Sequence, residues 1–228
     1  MIIHENKMIF LHIPKNAGTS IEKYLRPDFG LEWDVPNYDL LYGWCPDRQI
    51  HLQHATPQEM IDLNLIDRQT WDEYTKFAVI RNPWERAVSD FIWLKEKSKI
   101  KGNFMDYLLV RGDFSSLLTD RSHIRFKGDH IFPQIDFLKL DGEMAVKNII
   151  NFENLDHDLN NFFGSLSLPR FDIKLNQNTS YTKHYSNWYT NHSINIIKEK
   201  YASDIVLGNY HFDDQRSGLK KIYNAIVK

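Results

Sequence analysis

The sequence contains a single cysteine, Cys45, so no disulfide bond can form within the chain. Chains without disulfides are typical of a reducing compartment. Lysine and arginine number 28, and aspartate and glutamate number 30, which gives a net charge of −2. This balance provides no general attraction for nucleic acids or acidic polymers, so any anion-binding site must be local.

Long hydrophobic runs are missing as well. No apolar segment approaches the roughly 20 residues that a membrane-spanning helix requires, and the first residues lack the features of a secretion signal. The ten histidines are scattered along the chain without the spacing of a metal site. With 228 residues and no repeat, the chain suits one domain with a sizeable core. We therefore expect a single cytoplasmic domain over residues 1–228, without a metal ion or a membrane segment.

The most informative stretch runs from Met8 to Leu25. An apolar run from Met8 to Ile13 is typical of a buried strand, a short loop reaches Gly18, and a helical pattern begins at Thr19. This succession of strand, small-residue loop and helix presents free backbone N–H groups to an anion. The sequence therefore predicts a phosphate site in this loop.

The order of residues in the loop argues against an ordinary NTPase. In a Walker A loop the lysine directly precedes the hydroxyl residue, whereas here Lys15 comes first and Thr19 and Ser20 come last. Gly18 lets the backbone approach a ligand, and Lys15 adds one positive charge. A plain strand-to-helix turn with a solvated lysine is the alternative interpretation.

The segment from His12 to Ser20, HIPKNAGTS, resembles the 5′-phosphosulfate loop of the carbohydrate sulfotransferases. This is the heparan- and chondroitin-type family, sulfotransferase family 2, which uses 3′-phosphoadenosine 5′-phosphosulfate (PAPS). The resemblance implies a donor-binding loop made of Lys15, Asn16, Ala17, Gly18, Thr19 and Ser20. It also implies that Lys15 is catalytic. Asn16 departs from the family, which usually has threonine there.

A second motif follows a predicted strand from Lys76 to Ile80. The helix after it has three start signals, with Asn82 as N-cap, Pro83 in the first turn and Glu85 completing a capping box. Arg81 stands at the carboxyl end of the strand, where open α/β sheets bind their ligands. The resemblance implies that Arg81 and Ser89 bind the 3′-phosphate of PAPS. Taken alone, Arg81 would also fit as a residue that caps the strand, and Ser89 as a residue on a helix face.

His54 precedes a helix start that Thr56 and Glu59 mark as a capping box. We expect this helix to run from Pro57 to about Leu65, and its positive end to lower the pKa of His54. A neutral imidazole can act as a general base. The resemblance implies that His54 takes the proton of the acceptor hydroxyl, with His51 as the second candidate. Without the resemblance, a capping or surface role would fit.

Several weaker predictions concern the rest of the chain. Gln134 lies in a segment that resembles one facing the acceptor in the family, so Gln134 and His51 are candidate substrate contacts. The remaining predicted elements are a short helix over 67–74, a short helix over 103–110, a hairpin of 137–140 with 147–152, a helix from 155 to about 166, a polar loop from 176, a helix over 193–201 and a C-terminal helix. The segment 111–129 is polar and receives no element.

The resemblance extends from Lys7 to about Phe212. It implies a P-loop-like three-layer α/β/α fold with a mainly parallel central sheet, and the alternation of apolar strands and capped helices agrees. It also implies transfer of a sulfuryl group from PAPS to a hydroxyl, with a carbohydrate as the favoured acceptor and no metal. Two alternatives remain, a nucleotide or small-molecule kinase and a non-catalytic glycan-binding or 3′-phosphoadenosine 5′-phosphate (PAP)-binding module.

Overall fold

The computed structural model describes residues 1–27, 30, 32–172 and 183–216. The start of the predicted polar loop, over 176–180, and the predicted C-terminal helix lie outside these residues. None of the described helices combines the length and the apolar character that crossing a membrane requires.

A four-stranded sheet forms the centre of the fold, in the order β1-β2-β5-β8. The strands are β1 (Ile2–Ile3), β2 (Met8–Leu11), β3 (Trp44–Cys45), β4 (Ile50–His51), β5 (Thr75–Ile80), β6 (Lys139–Leu140), β7 (Glu143–Met144) and β8 (Asn148–Asn151). Strands β2, β5 and β8 run parallel, and β1 is antiparallel to β2. The predicted mainly parallel sheet is confirmed. Two small hairpins, β3–β4 and β6–β7, stand apart from it.

Helices α2 and α4 of the described residues begin at Pro57 and Pro83, where the sequence predicts helix starts. They are α1 (Gly18–Leu25), α2 (Pro57–Asp62), α3 (Arg68–Glu73), α4 (Pro83–Ser98), α5 (Phe104–Leu108), α6 (Asp113–Thr119), α7 (Leu155–Ser165), α8 (Asn191–Lys200) and α9 (Ala202–Leu207). Thr56 and Glu59 form the predicted capping box of α2. Asn103 and Asp106 form another at α5, where it satisfies free N–H groups of the first turn.

The side chains of the central strands alternate between two faces, and helices cover both. On one face, Ile9 and Leu11 of β2 pack in a core with Met60 of α2 and Trp71 of α3. On the other, Phe10 and Phe77 pack with Ile21 of α1 and Leu159 of α7. This arrangement is the predicted three-layer α/β/α fold. Helices α4, α5, α6 and α8 form a further apolar core beside it.

The structure corrects two sequence-based predictions in this region. The turn at Asp141 joins β6 to β7, whereas the predicted partner of β6, β8, pairs in parallel with β5. Ile149 and Ile150 of β8 contribute to opposite faces of the central sheet, which explains this placement. Helix α6 lies in the segment that received no element, with Phe114 buried against its neighbours.

Candidate active site

The two predicted anion-binding motifs meet at one edge of the sheet. Because β2, β5 and β8 are parallel, their carboxyl ends lie at the same edge of the sheet. This edge therefore contains the loop after β2, Arg81 after β5 and Phe152 after β8. The Arg81 Nη1 donates a hydrogen bond to the Lys15 carbonyl oxygen at 3.0 Å. The same guanidinium lies 4.0 Å from the centre of the Phe152 ring. Open α/β sheets bind ligands at such an edge.

The loop before α1 has the backbone of an anion cradle. Lys15 and Ala17 have positive φ angles of 71° and 66°, so the chain reverses direction over a few residues. The Ala17 carbonyl accepts the N–H groups of Ser20 and Ile21. Within the described part of the chain, the N–H groups of Gly18 and Thr19 donate to no acceptor. Such first-turn donors are available to an anion.

Asn16 and Gln134 connect this loop to the end of β5. Asn16, which is 1% exposed, donates through Nδ2 to the Val79 carbonyl and to Gln134 Oε1, both at 2.7 Å. Gln134 Oε1 also accepts the Arg81 N–H, and Gln134 Nε2 donates to the Arg81 carbonyl, both at 2.9 Å. Gln134 is fully buried, and its contact with an acceptor stays a prediction.

Arg81 is paired with Glu85, its neighbour one turn along α4. Glu85 Oε1 accepts from Arg81 Nη2 at 2.6 Å. The predicted capping box is therefore wrong, and Asn82 alone caps the helix, through the N–H groups of Trp84 and Glu85. A charge-assisted hydrogen bond to a buried guanidinium is stronger than one to a backbone N–H, which explains why Glu85 bonds to Arg81 and not to the Asn82 N–H. Arg81 Nε is buried without a partner among the described residues.

Ser89 lies in α4, on the same helix as Glu85. Its side chain is buried, with 5% of the residue exposed. Its hydroxyl hydrogen-bonds to none of the described residues. The predicted contact of Ser89 with a 3′-phosphate stays a prediction.

The Lys15 ammonium lies in a partly apolar environment. Its Nζ is 4.9 Å from the centre of the Trp93 ring, a cation–π distance. Burial lowers the pKa of Lys15 to about 8, with Asp90 opposing the shift and Arg81 adding to it. A cation whose charge is disfavoured in this way would be stabilised by a bound anion.

Four histidines that are scattered in the sequence meet next to the loop. The His54 ring centre lies 4.7 Å from that of His12, 5.4 Å from that of His130 and 6.0 Å from that of His51. Three of them form a hydrogen bond between Nδ1 and a carboxylate oxygen: His12 with Glu22 at 2.7 Å, His130 with Asp90 at 2.6 Å, and His54 with Asp129. Sequence spacing concealed this cluster.

Of the two predicted bases, His54 has the more available nitrogen. Its side chain is 10% exposed, and its Nε2 bonds to nothing in the described ranges. His51 Nε2, in contrast, lies 3.0 Å from the Phe126 carbonyl and 2.9 Å from Lys127 Nζ, and its Nδ1 is buried without a partner there. The geometry favours His54 as a proton acceptor.

Both imidazoles are neutral at pH 7, as a general base requires. Burial lowers the pKa of His54 well below 6.5, although the Asp129 carboxylate opposes the shift. Burial likewise lowers the pKa of His51 to about 4. The predicted direction for His54 is confirmed, but the cause is burial rather than a helix end.

His54, Asp129 and His130 have ligand-type atoms within 4.8 Å of one another. The Nδ1 atom of each histidine pairs with a carboxylate, which leaves Nε2 for a proton or for a metal ion. The expected absence of a metal stays a prediction.

Comparison with known proteins identifies the family. The profile described as "Sulfotransferase family" matches residues 1–224. The chain belongs to the sulfotransferase family. Among solved structures, it is similar to a sulfotransferase from Alicyclobacillus acidocaldarius, with 13% identity and a TM-score of 0.47, over 90% of this chain and 96% of that one. No curated protein matches this sequence.

The sequence-based predictions did not include the buried charged residues that hydrogen-bond to the histidines and to the backbone of the loop. They are Glu22, Arg86, Asp90 and Asp129, all less than one tenth exposed. Arg86 and Asp90 lie one turn apart on α4, among apolar neighbours. Two charged residues at that spacing on the buried face of a helix were a usable signal. Asp129 had no such signal, because it lies in a polar segment.

Replacing Gly18 with alanine is expected to destabilise this sulfotransferase. A Cβ at Gly18 would lie 1.7 Å from His12 Nε2, so the imidazole would have to leave its position against the loop. Overpacking of this kind costs about 1–3 kcal/mol, measurable by urea denaturation. Gly164→Ala is the matched control, because nothing lies within 4 Å of that position in α7. Wild-type stability for Gly18→Ala would contradict the packing described.

Proposed function

We propose that this protein transfers a sulfuryl group from PAPS to a hydroxyl group of a carbohydrate. The observation that carries the proposal is the hydrogen bond between the Arg81 guanidinium and the Lys15 carbonyl, 3.0 Å long. It brings together two motifs, each suited to one phosphate. PAPS has phosphate groups at both its 5′ and its 3′ positions, so it requires two anion sites side by side.

The polar groups of the chain fit such a donor. The N–H groups of Gly18 and Thr19 and the hydroxyls of Thr19 and Ser20 would hold the 5′-phosphate, in a loop shaped by Asn16 and Ala17. Arg81, whose buried Nε has no partner among the described residues, would hold the 3′-phosphate together with Ser89. Glu85 would have to share Arg81 with that phosphate.

Each catalytic role follows from the position and charge of a side chain. When bound, PAPS supplies the sulfuryl group, whose sulfur–oxygen bond to the 5′-phosphate breaks as a bond to the acceptor oxygen forms. Lys15 offsets the negative charge left on the 5′-phosphate. His54 Nε2 accepts the proton of the acceptor hydroxyl. Alignment and charge stabilisation account for the rest, as in phosphoryl transfer.

A carbohydrate acceptor is proposed from the motif resemblance. Trp33 and Tyr38, which are 52% and 44% exposed, offer ring surfaces on which a sugar could stack. His51 and Gln134 remain candidate substrate contacts. The cluster of buried imidazoles beside the loop provides a base for a hydroxyl of this kind.

The first test is a thermal-shift comparison of PAP, adenosine 5′-phosphate and ATP–Mg²⁺. A ligand at about 100 times its dissociation constant adds roughly 2.7 kcal/mol to the free energy of unfolding. We expect PAP to stabilise the protein and ATP–Mg²⁺ to have no effect. Stabilisation by ATP–Mg²⁺ without stabilisation by PAP would instead identify a kinase.

The same assay tests the role of Arg81. Arg81→Met keeps an unbranched apolar side chain at this position but removes the guanidinium over Phe152 and its charge, and we expect it to weaken PAP binding by about 10- to 100-fold. Binding of adenosine 5′-phosphate should change little, because it lacks the 3′-phosphate. Arg68→Met, in an exposed ion pair with Asp141, is the control. An equal loss for both ligands would contradict the 3′-phosphate role.

A further inference from the structure

The Asp129 carboxylate is buried beneath the proposed base. Its Oδ2 pairs with His54 Nδ1, and its Oδ1 is buried without a partner among the described residues. The residue is 5% exposed. The His54 ring is therefore the hydrogen-bond partner of the Asp129 side chain, and the protonation state of the carboxyl group determines which nitrogen of His54 carries a proton.

Asp129 is ionised at neutral pH. Burial alone would raise the pKa of Asp129. The His54 imidazole and its hydrogen bond, together with His130 and His51, nevertheless hold this pKa below its usual range. An ionised carboxylate can only accept a hydrogen bond. The proton in this pair must therefore reside on His54 Nδ1, which leaves the lone pair on Nε2.

The other two histidine–carboxylate pairs do not offer a nitrogen in the same way. His12 Nε2 is turned towards Gly18, where it fills the space of a missing Cβ. His130 has a side chain only 4% exposed and stacks on Trp93 at 5.1 Å. The Nε2 atoms of all three histidines bond to none of the described residues, but the His54 ring is the one of the three that neither packs against Gly18 nor stacks flat on Trp93.

We propose that Asp129 is the positioning residue of His54: by accepting a hydrogen bond from Nδ1, it fixes the tautomer and ring orientation in which Nε2 can accept a proton. This inference rests on the proposed function in one respect, namely that the proton comes from the acceptor hydroxyl. When the acceptor hydroxyl loses its proton, the proton moves to Nε2 and an oxygen electron pair of the acceptor forms the new bond to sulfur, while the sulfur–oxygen bond to the 5′-phosphate breaks and its electron pair leaves with the phosphate oxygen. The imidazolium that results is stabilised by the adjacent carboxylate, which itself stays ionised.

The tautomer can be measured without any activity, by ¹⁵N NMR of histidine-labelled protein. We expect His54 to show a protonated Nδ1 and an unprotonated Nε2, with His54→Gln assigning the signals. Asp129→Asn should shift His54 towards the other tautomer, since an amide can donate to Nδ1. Glu22→Gln removes an equivalent carboxylate from His12 and should leave the His54 signals in place. A protonated His54 Nε2 in the wild-type protein would overturn the proposal.

Steady-state kinetics then separates positioning from a structural role. Asp129→Asn should lower kcat by about 100-fold, within the usual range for a general base, while the KM for PAPS and the affinity for PAP stay unchanged. Asp129→Glu keeps the charge and should recover most of the loss. Unchanged kcat, or a parallel loss of PAP affinity, would overturn the proposal. If the wild-type protein bound no PAP, the proposed function would fail, and the NMR result would still decide the tautomer.

Discussion

Replacing Lys15 with methionine is expected to lower kcat by about 10²- to 10³-fold, the size of effect seen when one charge-stabilising group is removed. Methionine keeps an unbranched stem against Trp93, so the packing of the loop should survive. The reaction loses the cation that offsets charge on the 5′-phosphate as the sulfuryl group leaves. Lys23→Met is the matched control, because it removes an exposed cation from α1, the helix that follows the loop. Equal activity in the two variants would contradict the catalytic role of Lys15.

The pH dependence of PAP binding gives the Lys15 variant a second readout. Burial holds the pKa of Lys15 at about 8, so its charge is lost as the pH rises through that value. A bound phosphate raises this pKa, since it favours the charged form. Wild-type affinity for PAP should therefore fall above about pH 8, by up to about tenfold per pH unit. In Lys15→Met the affinity should be independent of pH over this range.

The parts of the site that could be predicted from sequence depend on short-range signals. The capping box of Thr56 and Glu59 spans three residue steps, and the loop from Pro14 to Gly18 lies between a strand and a helix. Local sequence determines the backbone in such cases, because the interacting groups are neighbours along the chain. Arg81 could be placed at the sheet edge for the same reason, since it directly follows β5.

The parts that could not be predicted depend on contacts across the chain. Asp129 and His54 are 75 residues apart, and no pattern around either one indicates the other. Glu85 illustrates a related limit, because a capping glutamate and a glutamate paired with Arg81 have the same local sequence. Strand β8 was found, but its partner was wrong, since the sequence of a strand does not state which strand lies beside it.

Helix α6 was missed for a different reason. It begins after Gly112, which has no side chain to cap it, and it lies in a polar segment. The apolar residues Phe114, Leu117 and Leu118 have the spacing of one helical face and are buried. Periodicity alone was thus a sufficient signal, and reliance on capping residues concealed it.

Replacing Arg86 with methionine is expected to give the largest loss of stability, about 3–5 kcal/mol in the free energy of unfolding. Arg86 is 2% exposed and donates to three backbone carbonyls, those of Pro14, His130 and Phe132, at 2.9 to 3.1 Å. Hydrogen bonds from a charged donor contribute about 1.5–3 kcal/mol each, and they are not fully additive. Methionine fills part of the volume but leaves the three buried carbonyls without that donor. Urea denaturation measures the change directly.

Two further variants show whether the Arg86 hydrogen bonds cause this loss. Arg86→Lys keeps the charge but cannot reach three carbonyls with a planar fork, so its stability should lie between that of the wild type and that of Arg86→Met. Arg68→Met removes an arginine that is half exposed and paired with Asp141 on the surface, and it should leave the free energy of unfolding nearly unchanged. If Arg86→Met were as stable as Arg68→Met, the three carbonyl bonds would contribute nothing. Because those bonds join the loop that leads to Lys15 with the segment that contains Asp129, a large loss would mean that one buried arginine holds both parts of the site in place.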